Sequence, residues 1–159
     1  MEKRQDRTTG ISVKDSPWRL PLAPVLLLAF SLLLFSSHQA FAIQLITHPG
    51  TEKTEISRST ARAIFSMRRL VWPDGAAIRV FVFPDKHKLH KAFAKQLLGV
   101  FPHQLRRAWD RKVFSGTGQA PDTVQSEAEM LEMIIRTPGA IGYISEDNRD
   151  ESVQILQVE

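Results

Sequence analysis

Cysteine is absent from all 159 residues. That excludes disulfides, thiol catalysis, thiolate metal sites and lipid attachment at a cysteine, so packing alone must hold the fold. A surplus of one charge is missing too. Five of the 21 Lys and Arg and three of the 17 Asp and Glu precede position 43, which leaves 16 basic and 14 acidic residues, a net of +2. So near a balance lacks the basic stripe of a nucleic-acid binder. Internal repeats, low-complexity tracts and linkers are also missing beyond that point, so Ile43 to Glu159 reads as one domain with one core. No catalytic set stands out either. Ser115 has no predicted histidine partner, and Glu127, Glu129 and Glu132 share one predicted helix where solvation explains them. The chain reads as a non-enzyme that needs no cofactor.

The one long apolar run, Val25 to Phe35, is about half of the ~20 residues that a membrane-spanning helix needs. Lys3, Arg4, Arg7, Lys14 and Arg19 precede it, and Ala40-Phe41-Ala42 follows as a small-residue cleavage site. A basic start, a short apolar core and an A-x-A site predict a secretory signal over residues 1–42, cleaved near Ala42. No arginine pair precedes the apolar core, which predicts the general export route rather than the twin-arginine one. The expected location is periplasmic.

Beyond the leader, short strands and helices alternate. Ile43 to Ile46 predicts a strand, and Thr51 to Glu55 a polar loop. Ser57 reads as an N-cap for a helix burying Ala61, Ile64 and Phe65. Trp72-Pro-Asp-Gly75 is a turn pattern, and Ile78 to Phe83 has the β-branched, aromatic character of a buried strand. A helix is predicted from His87 to Leu98, with Leu89, Ala92, Phe93, Gln96 and Leu97 inward and Lys88, Lys91 and Lys95 in water. Pro102 opens the next helix, with Leu105, Ala108, Trp109 and Val113 inward and Arg106 placed to pair with Asp110. Ser126 and Glu129 match a capping box ahead of a helix through Ile135. Ala140 to Ile144 predicts a strand whose central Gly142 implies a close approach by backbone or ligand, and Val153 to Leu156 a last strand. Trp72 and Trp109 read as packing residues. The alternation predicts an α/β fold, a sheet with helices on both faces and mixed connections.

Three segments in this order carry a family resemblance: Ile64-Phe65 followed by Trp72-Pro-Asp-Gly75, then Ile78 to Phe93, then Pro138-Gly-Ala-Ile-Gly-Tyr-Ile144. Together they resemble the second lobe of the phosphate-binding proteins of phosphate ABC transporters, within the type 2 periplasmic binding-protein fold. The resemblance covers nearly all of residues 43–159 and implies a single-lobe, three-layer form of that fold. It also implies a link to phosphate uptake. Family members hold phosphate with an Arg, an Asp and a Ser-Gly-Thr run at a strand end and helix start. Asp85 falls where that Asp lies. Val82 and Phe83 occupy the region of the Arg, and His87-Lys-Leu89 replaces the Ser-Gly-Thr run. The bulkier residues close the family's small donor nest, while Lys86, His87 and Lys88 keep positive charge.

Two candidate anion-binding groups follow. One is Asp85, Lys86, His87 and Lys88, for which the competing reading is a solvated helix face. The other is Ser115, Gly116, Thr117 and Gly118, small residues able to expose backbone donors, for which it is a plain connecting loop. His87 and His90, three apart, could ligate a metal, but no third ligand lies nearby. Arg106, Arg107, Arg111 and Lys112 form a basic helical face that hydration explains. The expected partner is a small anion, phosphate or similar, bound weakly by one open lobe. The alternative is an interaction or sensory module that kept the fold, lost the ligand chemistry and docks to a periplasmic or inner-membrane protein. Expression in a Gram-negative host should yield periplasmic protein whose mass places its N-terminus at Ile43; retention of the leader on the exported chain would overturn the predicted cleavage.

Overall fold

The structure, a computed structural model, describes residues 42–52 and 54–159; the rest of the predicted leader lies outside the described residues. In chain order the elements are strand β1 (Ile43–Thr47), β2 (Glu55–Ile56), helix α1 (Arg58–Phe65), β3 (Arg79–Val82) and α2 (Lys88–Ala92). A π turn over Phe93–Leu97 follows directly, then α3 (Pro102–Phe114), β4 (Asp122–Thr123), α4 (Glu127–Arg136), β5 (Ala140–Ser145) and β6 (Gln154–Val158). The strands form one mixed sheet in the order β2-β6-β1-β5-β3-β4. β1 runs antiparallel to both neighbours, β5 and β6, while β3 is parallel to β5 and to β4.

Chirality places the helices. From β3 the chain passes through α2 and α3 and steps outward to β4; from β4 it passes through α4 and steps back across β3 to β5. Parallel crossovers are right-handed, so reversing the direction of travel puts α4 on the face opposite to α2 and α3. The side chains of β5 agree. All six of its residues are buried, as both-face coverage requires. Gly142 faces α4, where a Cβ would collide with Met130 and press on Ile134. Tyr143 faces the other way, stacked 3.7 Å from Phe93 and edge-on to Phe65. The expected three-layer α/β architecture, one lobe with helices on both faces, is borne out. The close approach predicted at Gly142 comes from a helix and not from a ligand.

The local signals explain the element ends. Ser57 Oγ accepts the Thr60 N–H and Ser126 Oγ accepts the Glu129 N–H, each at 3.1 Å, as N-caps do. Glu129 reaches back to the Gln125 N–H, one residue before the cap. The Gly75 N–H closes the Trp72 turn at 3.0 Å. Trp72 and Trp109 are both buried, and their indole N–H groups donate to Gly139 and Phe65 carbonyls.

Four expectations are corrected. The 51–55 loop ends in a strand, because Glu55 and Ile56 pair with β6. Asp122–Thr123 is a strand that no pattern marked, since two residues carry no periodicity. Val113 is half exposed, leaving Leu105 and Trp109 as the buried anchors of α3. The buried stripe of the second predicted helix is Leu89, His90, Phe93, Ala94 and Leu98, with Gln96 exposed. The π turn accounts for Leu98 in place of Leu97: the Leu98 N–H bonds the Phe93 carbonyl at 3.2 Å, and the added residue rotates the following positions out of α register. His90 precedes that turn and is drawn inward by its bond to Tyr143.

Two glycines on β5 and its approach make a graded test. Gly139 has φ +74°, and a Cβ there would run into the Ala77 carbonyl oxygen, which is backbone. At Gly142 the obstacle is a flexible methionine. Gly142→Ala should cost about 1–2 kcal/mol by overpacking, and Gly139→Ala about 2–4 kcal/mol because strain adds to the clash. Urea unfolding checks the order; equal losses would contradict the assigned packing.

Candidate functional site

β3 ends at Val82, and the chain then turns through Pro84 to His87, where the His87 N–H bonds the Pro84 carbonyl at 2.8 Å. Pro84 cannot continue a ladder, so the strand stops and α2 begins at once. His87 is the N-cap of α2: its Nδ1 accepts the Leu89 N–H at 3.3 Å, and its ring stacks on Phe83 at 4.4 Å. Lys86 and Lys88 on either side are exposed.

Asp85 is already engaged. Arg106 of α3 donates to both its oxygens, Nε to Oδ2 and Nη2 to Oδ1, each at 2.9 Å. This replaces the Arg106–Asp110 pairing expected along the helix. The guanidinium also lies over the Trp109 ring, 4.9 Å from its centre. Hydrogen bonds from Arg106 hold the Asp85 carboxyl below its ordinary value, and Asp85 raises Arg106 in return. With side chains 40% and 38% exposed, the pair contributes about 1 kcal/mol at most.

Behind this pair lies a buried chain of polar groups. The Phe83 N–H donates to Tyr143 Oη at 3.1 Å, and Tyr143 Oη lies 2.6 Å from His90 Nδ1. A hydroxyl can accept twice, but only donation to His90 Nδ1 gives the Tyr143 proton an acceptor, and the tautomer this selects turns an Nε2–H rather than a lone pair toward the Asp85 carboxylate. Burial holds the Tyr143 hydroxyl protonated, far above its usual range. His90 is fully buried, and desolvation lowers its pKa to about 4, against the pull of Asp85. Its Nε2 has no hydrogen-bond partner and stands 4.0 Å from Asp85 Oδ1.

The two candidate groups do not meet. Ser115–Gly118 follows the last turn of α3, nine residues beyond Arg106 or about 13 Å along the axis. The Gly116 N–H bonds the Val113 carbonyl and the Thr117 N–H bonds the Lys112 carbonyl, with Gly116 at φ +67°. That is a Schellman closure, and with the Ser115 N–H bonded to the Arg111 carbonyl it occupies three of the four amides that a phosphate cradle would present. His87 and His90, weighed as a metal pair, each use Nδ1 within the protein. Reading the residues missed His90 as a core group and Arg106 as the partner of Asp85. The available signal was Tyr143: a tyrosine in a strand buried on both faces needs a partner for its hydroxyl.

The fold is that of one lobe of a periplasmic binding protein, joined here to a strand-end site. Three solved structures resemble it. An ABC-type phosphate transport receptor from Vibrio cholerae is 17% identical with a TM-score of 0.58, over 74% of this chain and 46% of that one. A putative phosphate ABC transporter substrate-binding protein with bound phosphate from Clostridium perfringens is 21% identical with a TM-score of 0.61, over 74% and 44%. PstS from Borrelia burgdorferi is 23% identical with a TM-score of 0.59, over 74% and 47%. The chain thus spans less than half the length of these relatives, and at such identities the likeness establishes the fold alone. No family model matches the chain, and no curated protein does.

The buried imidazole sets a pH dependence. Its folded pKa lies below the unfolded value of 6.5, so the unfolded chain binds the proton first. Stability from this group is complete above pH 6.5 and is lost as pH falls toward 4, by about 3 kcal/mol in all. Asp85, Arg106 and His87 are the charged or titratable neighbours acting on it, and their net effect leaves desolvation dominant. Denaturant unfolding between pH 7 and 4 should show this fall, and His90→Phe should flatten it; an unchanged slope in the variant would assign the fall elsewhere.

Proposed function

We propose that this chain is an exported, non-catalytic binding module of the phosphate-receptor kind. It recruits a phosphate-class oxyanion weakly at the end of β3, through Lys86, His87 and Lys88 beside Asp85 and Arg106. The fold likeness supports the class, since two of the three solved structures are of phosphate transport proteins by name and one of these holds phosphate. The observation that carries the location is the cluster of cations around one strand end: exposed Lys86 and Lys88 flank His87, and Arg106 converges from α3. Weak binding follows from geometry. Asp85 opposes an incoming anion and already occupies the Arg106 fork, and a surface site is screened by salt. A role in phosphate uptake and a periplasmic location belong to the same reading. Ser115–Gly118 enters it only if the helix closure opens.

The occupied fork also favours a second reading, that the lobe kept its shape as an interaction or sensory module for a periplasmic or inner-membrane protein after losing the ligand. Titration with inorganic phosphate, followed by backbone amide NMR at constant ionic strength, separates the two. Binding predicts saturable shifts at Lys86 to Leu89 with a Kd of order millimolar, about −4 kcal/mol. No shift there up to 50-fold above that concentration, on the order of 50 mM, would leave the second reading.

A further inference from the structure

The Arg106 fork and His90 Nε2 both lie close to Asp85, and the carboxylate satisfies only the fork. Both carboxylate oxygens lie in the fork at 2.9 Å. The nearer one is still 4.0 Å from His90 Nε2, too far for a hydrogen bond. The imidazole cannot turn to help, because Tyr143 holds its Nδ1 at 2.6 Å. A fully buried N–H donor is therefore left without an acceptor in the protein, and such a donor costs free energy until an acceptor arrives. A planar carboxylate offers two oxygens, both committed to the fork. A tetrahedral oxyanion offers a further oxygen that can take the third donor while two remain in the fork.

We propose that Asp85 is a tethered occupant of a tetrahedral-oxyanion site built from the Arg106 fork and the His90 Nε2–H, a site that opens to sulfate or phosphate when the carboxylate is removed. The proposal deepens the strand-end reading above and rests on it for the class of ligand. It assigns different roles to neighbouring residues: Arg106 and His90 recognise the anion, while Asp85 excludes it. Being attached to the chain, the carboxylate competes at high effective concentration, and it repels any second anion that approaches.

The test compares sulfate binding to the full wild-type chain, Asp85→Ala and Asp85→Ala with Arg106→Gln, by calorimetry at fixed ionic strength. Side-chain nitrogen NMR of His90 is recorded alongside. Asp85→Ala should bind sulfate at least tenfold more tightly than wild type, move the His90 Nε2 signal, and lose the gain when Arg106 is also changed. Asp122→Ala, which removes an exposed aspartate paired with Arg79, should show no gain. Should Asp85→Ala not fold, Asp85→Ser, whose short side chain also clears the fork, carries the same comparison. A folded Asp85 variant that binds sulfate no better than wild type overturns the proposal, as does a gain that survives Arg106→Gln. The two readings fail separately. Phosphate shifts in wild type with no gain in the variant would keep the proposed function and remove the tether. A gain in the variant with no binding in wild type would keep the tether and end the recruitment of anion by the native chain.

Discussion

The hydroxyl of Tyr143 holds the strand end together. β3 pairs with β5 only as far as Val80 and Ile141, so the Phe83 N–H lies beyond that ladder and inside the protein. A buried amide without a partner costs about 1–3 kcal/mol. Tyr143 Oη accepts it and donates its own hydrogen bond to His90 Nδ1, which fixes α2 against the sheet. The same ring packs flat on Phe93 and edge-on to Phe83. Pro84 stops the strand, and this one side chain anchors the strand end and fixes which face of α2 points inward. Asp85 is placed by the Pro84–His87 turn, and Arg106 meets it from α3. Tyr143 is the only tyrosine of the chain, so no other phenolic hydroxyl can take over this task.

How far the residues alone disclose such a structure varies with the length of the signal. The β5 segment, the Trp72 turn and the serine caps were legible because each depends on local chemistry that short sequence runs carry. Of the inward stripe expected over His87 to Leu98, Leu89 and Phe93 are the members that are buried. Helical periodicity assumes 3.6 residues per turn, and the π turn breaks that assumption without altering composition. His90 precedes that turn; by residue type it reads as one more polar member of a lysine-rich face, although Lys88 and Lys91 beside it are exposed and it is fully buried. Arg106 was misassigned for a different reason. Asp110 lies one turn away in sequence and Asp85 lies 21 residues away, so only the tertiary path of α3 over the strand end reveals the bidentate pair. Gly142 gave a correct spacing signal whose cause, a methionine of α4, no local pattern could name.

The π turn and the loop after α3 show one constraint solved twice. Each helix must end while its last carbonyls still find donors. After α3, Gly116 takes the left-handed conformation and two loop amides fold back onto helix carbonyls. After α2, the wide turn carries Leu98 inward, and Arg62 of α1 donates its Nε–H to the Leu98 carbonyl at 2.9 Å. Gly99, at φ +66°, then releases the chain toward Pro102. Small residues at such points serve helix termination first. Glycine-rich runs with serine and threonine are therefore ambiguous until the destinations of their amides are known, and for Ser115, Gly116 and Thr117 those destinations are helix carbonyls.

Covering the strand end with a second protein surface would not by itself create strong anion binding. Excluding water lowers the local dielectric, and every charge interaction grows. The attraction between an oxyanion and Arg106 would strengthen, but so would that between Asp85 and Arg106. An anion that displaced the carboxylate would also leave Asp85 unpaired in a drier place, facing a like charge, at a cost of several kcal/mol. Burial thus deepens the competition without deciding it. What decides it is the number of donors each competitor can satisfy. Asp85 satisfies the fork and leaves the His90 N–H empty-handed, whereas a tetrahedral oxyanion reaches all three donors only where the carboxylate no longer stands between them.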